Sequence, residues 1–206
     1  MARGRPRQFD ERQVLDAALA VFWRNGYQGA SLAELTRATG LSKPSLYAAF
    51  GNKEQLYLAA LARYRERQLS WHAVALAAEP DLTRAMRGFL RSVARMLTAP
   101  DLPGGCMVVT SAAACDVAGL PPRVTGAIAE TVSEASFGLL QARLRAESRR
   151  GRLAAGTRIA ALADYFAVFM SGMAVMAKLG FGEERLFAAI EHALRALPGP
   201  PTPSRA

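Results

Sequence analysis

Between Ser42 and Lys53 the sequence places lysine, serine, tyrosine, asparagine and a second lysine at helical spacing, side chains that can hold phosphate and reach base edges. Ser42 is an N-cap type residue, and Pro44 is tolerated in a first turn that has no intrahelical donor to lose. Leu46 and Phe50, one turn apart, must face inward with Leu35 and Leu41. Lys43, Pro44, Ser45, Tyr47 and Ala48 are thereby turned outward. That face is small and lightly charged, and a helix so narrow fits a major groove about 12 Å wide. Its N-terminal residues would meet base edges while the preceding helix lies across the backbone. Asn52 caps the next helix and Lys53 sits in its first turn, so free amides, the helix dipole and an ammonium converge on one anion site. Tyr47 offers its hydroxyl to a second phosphate. Ser31, at the head of the preceding helix, joins the candidate DNA contacts. So do Arg3 and Arg5 of Arg3-Gly4-Arg5-Pro6-Arg7, an extended arm of the kind that enters minor grooves.

These groups need elements to hold them. Val14, Ala18, Val21 and Phe22 repeat at helical spacing until Asn25-Gly26, a C-cap signal. Ser31-Leu32-Ala33-Glu34 is a capping box that opens a short helix ended by Gly40. Thr39-Gly40-Leu41-Ser42 is then the Gly-containing turn of a helix-turn-helix, a motif that also occurs as plain structure. Beyond it, apolar spacing predicts helices at roughly 53–78, 82–98, 104–116, 121–150, 157–180 and 183–196. No period-two alternation marks a strand, so the fold class is all-α. The expected division is a disordered basic arm over 1–8, a helix-turn-helix domain over 9–55, a larger helical body over 56–197, and a disordered Pro-rich tail over 198–206.

The chain of 206 residues is enough for this plan, and its 26 Lys+Arg against 17 Asp+Glu leave a net charge of +9. Such an excess implies a polyanionic partner, a nucleic acid or an acidic membrane surface. The stretch Ile159 to Phe181 is apolar, but only thirteen uncharged residues separate Asp164 from Lys178, short of the ~20 that a bilayer needs. It reads as a buried helix of a soluble, cytosolic protein, with no signal peptide and no membrane partner expected. Two cysteines, Cys106 and Cys115, and two distant histidines give no metal site, and no cofactor is expected. His72 reads as a surface histidine. No convergent acid, base and nucleophile stands out, and no Gly-rich phosphate loop, which argues against an enzyme.

Phe22-Trp23-Arg24-Asn25-Gly26-Tyr27, then Ala30-Ser31-Leu32, then Gly40 through Leu56 with Leu46-Tyr47, Phe50 and Lys53-Glu54 in place, resemble the N-terminal domain of the TetR/AcrR transcriptional regulators. The likeness covers about residues 9 to 57. It implies a homodimeric, ligand-responsive repressor of nine or ten helices that binds a palindromic double-stranded operator. In that family the residues matching Lys43, Pro44, Ser45 and Ala48 face bases, and those matching Tyr47 and Lys53 hold phosphates. A basic helical adaptor binding protein partners or a membrane surface is the alternative reading of the same charge.

A regulator of this type needs a dimer surface and a site for a small effector. The helix from Arg158 to Leu179 is apolar nearly all round, so it must be buried on more than one side. Phe166 and Met173, with Leu186, Ile190 and Leu194 of the last helix, are assigned to a four-helix dimer interface, with intramolecular core as the alternative. Candidate pocket residues are Trp71, Met86, Phe89, Met96, Met107, Phe137, Tyr165, Phe169 and Met170, suited to an apolar or electrophilic effector. Gly104-Gly105-Cys106-Met107 places Cys106 in the first turn of a helix, where the dipole favours thiolate. A subset of the resembled family carries a Gly-Cys-hydrophobic-hydrophobic run here, and some members sense oxidants or electrophiles with that cysteine. Cys106 is therefore either a sensor or a small residue packed under the N-terminal domain.

Overall fold

The computed structural model describes residues 9–113 and 119–199, the side chains of residues 69–71 excepted. Its elements are α1 (Glu11–Gly29), α2 (Leu32–Thr39), α3 (Lys43–Phe50), α4 (Lys53–Tyr64), α5 (Ser70–Ala78), α6 (Leu82–Thr98), α7 (Met107–Ala113), α8 (Pro122–Val132), α9 (Leu139–Arg149), α10 (Ile159–Lys178) and α11 (Glu183–Ala193). A π turn, Arg65–Leu69, joins α4 to α5, and a second, Ser133–Gly138, joins α8 to α9. The eleven α segments thus make nine continuous rods among the described residues, and the expected helices over 53–78 and 121–150 are each one rod. Arg65 of the first π turn pairs with Glu134 of the second.

Residues break the rods where backbone chemistry requires. Asp10 and Asp81 cap α1 and α6 through their carboxylates. The Asn25-Gly26 signal is met by a kink: Gly26 adopts φ 69°, and one further turn carries the chain to Gly29. That kink returns the Tyr27 ring over Phe22 and edge-on to Tyr57, 5.2 Å between centroids.

The apolar side chains form two cores. One unites α1–α4 with Met107 and Val108 of α7 and Val124 and Ile128 of α8, so the N-terminal helices share their interior with the body. The other lies among α5, α6, α9, α10 and α11. α10 is long and apolar enough to cross a bilayer by length and composition alone. In this fold it packs against α6, α9 and α11.

Hydrogen bonds stitch the two cores together at the segment before α7. The Trp23 indole donates to the carbonyl of Gly105 at 3.0 Å inside the protein, and the Tyr64 hydroxyl donates to Cys106 Sγ at 3.3 Å. Gly105 holds φ +66°, and a Cβ there would stand 3.0 Å from the Ala174 carbonyl oxygen, so only glycine fits. Tyr57 donates to Ser111 Oγ at 2.9 Å, and Lys178 Nζ donates to the Arg24 carbonyl at 3.0 Å.

The far end of the body contains a buried ion cluster. Glu147 on α9, 1% exposed, lies 3.4 Å from Arg143, 3.0 Å from Arg150 and 3.5 Å from Arg152. Arg143 also donates to the carbonyls of Leu76 and Pro80, tying α9 to the end of α5.

Candidate nucleic-acid interface and internal cavity

The helix-turn-helix is built from local signals. Ser31 Oγ accepts from the Glu34 amide at 3.2 Å while Glu34 Oε2 accepts from the Ser31 amide at 3.0 Å, closing the capping box of α2. The Ser31 hydroxyl also donates to Glu34 at 2.8 Å, so its first role is the cap. Gly40 takes a left-handed φ of 69°, the conformation that turns the chain from α2 toward α3. Ser42 Oγ then accepts from the Ser45 amide at 3.3 Å and caps α3. Leu35 and Leu46 are wholly buried, and burial of Leu46 contributes about 1.5–3 kcal/mol to holding α3 in place.

The outward face is as the spacing requires. Lys43, Pro44, Ser45 and Ala48 are exposed, and Tyr47 is half-buried. The Lys43 ammonium stands 5.9 Å from the centre of the Tyr47 ring, which places a cation and a phenol together at the head of α3. Asn52 and Gln55 form a second capping box, with Gln55 N donating to Asn52 Oδ1 at 2.9 Å.

Lys53 stands in the first turn of α4, as its place after Asn52 requires. Its Nζ lies 4.8 Å over the Tyr27 ring and donates to the Gln28 carbonyl at 3.4 Å. Partial burial lowers its pKa from the ordinary lysine value. The ammonium is thus held in one place beside the start of α4 before any anion arrives. Arg3 and Arg5 lie outside the described residues.

An internal cavity of about 80 Å³ opens between α5, α6, α7, the second π turn and α10. Of the nine residues assigned to a pocket, Phe89, Met96 and Met170 line it. Met86 is core and Phe137 packs against that core. Met107 belongs to the N-terminal core instead. Tyr165 is 43% exposed on the outside of α10, stacked on Phe169, and neither reaches the cavity. The Trp71 side chain and Cys115 lie outside what is described. Helical spacing finds the apolar stripes but not which stripe leaves a void.

Sequence reading placed His72 on the surface, and the structure places it inside. It is 3% exposed, lines the cavity, and has its Nδ1 2.7 Å from Ser92 Oγ. Burial pushes its pKa down to about 4. In the unfolded chain a histidine titrates near ~6.5, so the unfolded state binds the extra proton between about pH 6.5 and 4. Stability from this residue is complete above about pH 6.5 and falls by about 3 kcal/mol as the pH drops to about 4. Melting curves of the protein and of His72→Phe over this range should converge toward acid. Parallel curves would contradict a neutral, buried imidazole.

Two further assignments are corrected. Cys106 precedes α7 rather than lying in its first turn: its carbonyl accepts from the Thr110 amide at 2.8 Å, as an N-cap does. Its half-buried thiol lines the cavity and accepts the Tyr64 hydroxyl. Phe166, Met173, Leu186, Ile190 and Leu194 are all at most 6% exposed within the single chain, so they are its own core and not a surface for a partner. The uncovered apolar side of α10 is the neighbouring stripe, with Val168 and Leu179 each 69% exposed and Tyr165 and Val175 each 43%. Among the described residues no group of three His, Cys, Asp or Glu converges to hold a metal.

Residues 14–60 match the bacterial regulatory proteins of the tetR family, and residues 83–197 match the tetracyclin repressor-like C-terminal domain. The HTH-type transcriptional repressor ComR of Escherichia coli K12 is 33% identical over 201 residues, 96% of this chain and 93% of ComR. The HTH-type transcriptional repressor BdcR of the same organism is 27% identical over 94% of this chain and 92% of its own length. A solved cysteine-substituted form of the TetR family regulator CifR, complexed with 26-base-pair double-stranded operator DNA, is 39% identical. It superposes with a TM-score of 0.87, covering 94% of this chain and all of that one.

Proposed function

The chain belongs to the TetR family and is a DNA-binding transcriptional regulator rather than an enzyme; from that premise we propose that it is a cytoplasmic, homodimeric repressor released from a palindromic operator by a small molecule. The observation that carries the DNA reading is the exposed outer face of α3, with Lys43 and Tyr47 at its head and the pre-positioned Lys53 ammonium one turn beyond its end. In this reading Lys43, Pro44, Ser45 and Ala48 meet bases, and Tyr47, Asn52 and Lys53 grip phosphates. Ser31 and the arm with Arg3 and Arg5 add backbone and minor-groove contacts. Membership of the family favours DNA over the adaptor reading of the same charge.

The dimer reading rests on α10. Tyr165, Val168, Val175 and Leu179 form one uncovered apolar stripe, and Gly172 within it lets a second helix come close. Two chains joined there would present two copies of α3 to successive major grooves. Selection of bound genomic fragments, followed by sedimentation of the complex, tests both parts. The expected result is an inverted-repeat site carrying two chains, with affinity falling steeply as salt rises. A flat salt response, or one chain per site, would contradict it.

The effector site of this reading is the cavity. Its wall includes Cys106, which accepts from Tyr64 of the N-terminal core, and the adjoining Gly105 accepts from Trp23. Coupling of about 1–3 kcal/mol through these bonds would change operator affinity by the usual 5- to 150-fold. An electrophilic effector such as a quinone would act at Cys106: its sulfur would add to a ring carbon, the thiol proton would pass to the quinone oxygen to leave a hydroquinone thioether, and the bulk of the adduct would displace Sγ from the Tyr64 hydroxyl. Mass spectrometry after quinone or mild peroxide treatment is expected to find the adduct or oxide on Cys106 with operator binding reduced. An unmodified Cys106 with undiminished binding would end this part of the reading.

A further inference from the structure

The hydrogens around the cavity are directed by bonds behind its wall. Ser92 Oγ donates to the Phe89 carbonyl at 2.7 Å, so only lone pairs remain on the side that meets His72 Nδ1, also at 2.7 Å. The proton between them belongs to Nδ1, and in the neutral ring Nε2 is then an acceptor. Thr131 Oγ1 donates to the Ala127 carbonyl at 2.8 Å, and Ser171 Oγ, at the rim, donates to the Ala167 carbonyl at 3.1 Å. Both hydroxyls present lone pairs to anything else that approaches. Ser136 adds a hydroxyl that can turn either way. Among the described residues no Asp, Glu, Lys or Arg side chain lines the space.

We propose that this cavity selects an uncharged, mainly apolar molecule that brings its own hydrogen-bond donor, an alcohol, phenol or N–H group, and that His72 Nε2 is its acceptor. The proposal rests on the effector reading and names the class of that effector. Among the described residues the wall gives a carboxylate no cation and an ammonium no counter-charge. An ether or ketone of the same shape would lose the bond to His72 Nε2 and would be met by the Ser136 hydroxyl or the weak S–H donor of Cys106 instead. A space of about 80 Å³ admits only a small solute, and the pliant Met96 and Met170 can repack around a single ring.

Phenol, anisole, toluene and benzoate are matched probes, titrated into the full-length protein by calorimetry and into its operator complex by fluorescence anisotropy. Phenol is expected to bind at least tenfold more tightly than anisole or benzoate. His72→Phe should erase the advantage of phenol over anisole while toluene still binds, which also reports that the variant is folded. Should that variant fail to fold, Ser92→Ala keeps the imidazole but frees its tautomer, and the advantage should shrink. Equal binding of phenol and anisole, tighter binding of benzoate, or an undiminished preference in these variants would overturn the proposal. Phenol that binds as described but leaves the operator complex intact would preserve the ligand class and defeat the effector reading instead.

Discussion

Lys53→Ala is expected to weaken operator binding by about a hundredfold, and by the same factor on every duplex sequence. A charge-assisted hydrogen bond to phosphate contributes about 1.5 kcal/mol or more, about tenfold, and a dimer loses two. The slope of log affinity against log salt should fall in magnitude by about 2, one unit for each lost phosphate contact. Folding should change little, because the residue lies in the first turn of α4, where its charge opposes the helix dipole. Its contact with the Tyr27 ring is a surface-grade attraction of about 0.5–1 kcal/mol. Anisotropy titrations at several salt concentrations, with a melting curve as control, decide the matter. A loss confined to one sequence, or an unchanged salt slope, would remove Lys53 from the phosphate contacts.

The largest effect on stability is expected at the other end of the molecule. Glu147→Ala should cost about 3–5 kcal/mol, because it leaves the buried Arg143 without its carboxylate among the carbonyls of Leu76 and Pro80. For a chain of this length that corresponds to a fall of roughly ten degrees in Tm. The Arg95–Glu183 pair is a natural control, since both side chains are largely exposed and their contact contributes under about 1 kcal/mol. Urea unfolding of Glu147→Ala and Arg95→Ala should separate the two cases. A loss below about 1 kcal/mol for Glu147→Ala would mean that water reaches the cluster.

The parts of this molecule that sequence reading locates are those whose cause is local. Ser31 and Glu34 close their box within four residues, Gly40 supplies a left-handed turn by itself, and Ser42 and Asn52 cap the helices they precede. The DNA face follows, because burying Leu46 leaves no other side for Lys43, Ser45 and Ala48. The internal site has no such local cause. Met86 and Met96 lie about 15 Å apart along the same helix, and which of them meets a void depends on α5 and α10 arriving from elsewhere. His72 is placed by the same assembly: no neighbour in sequence says that Ser92 waits beside its ring. On α10 the apolar stripes were visible in the sequence, but the side taken by α6, α9 and α11 was not. Phe166 and Met173, assigned to a partner with the chain's own core as the alternative, lie inside, and Val168 and Leu179 are left bare.

The turn at Arg65–Leu69 divides the rod that runs from Lys53 to Ala78 into a length carrying the DNA grip and a length bordering the void. In a π turn the ladder is offset by one residue, and returning it to α geometry would advance the adjoining helix by about 1.5 Å and rotate it by about 100°. Such a joint has stops rather than a continuum of positions. On the effector reading proposed above, a displacement near His72 carried through this rod would reach the operator as a discrete click of register, an all-or-none response in place of a graded one.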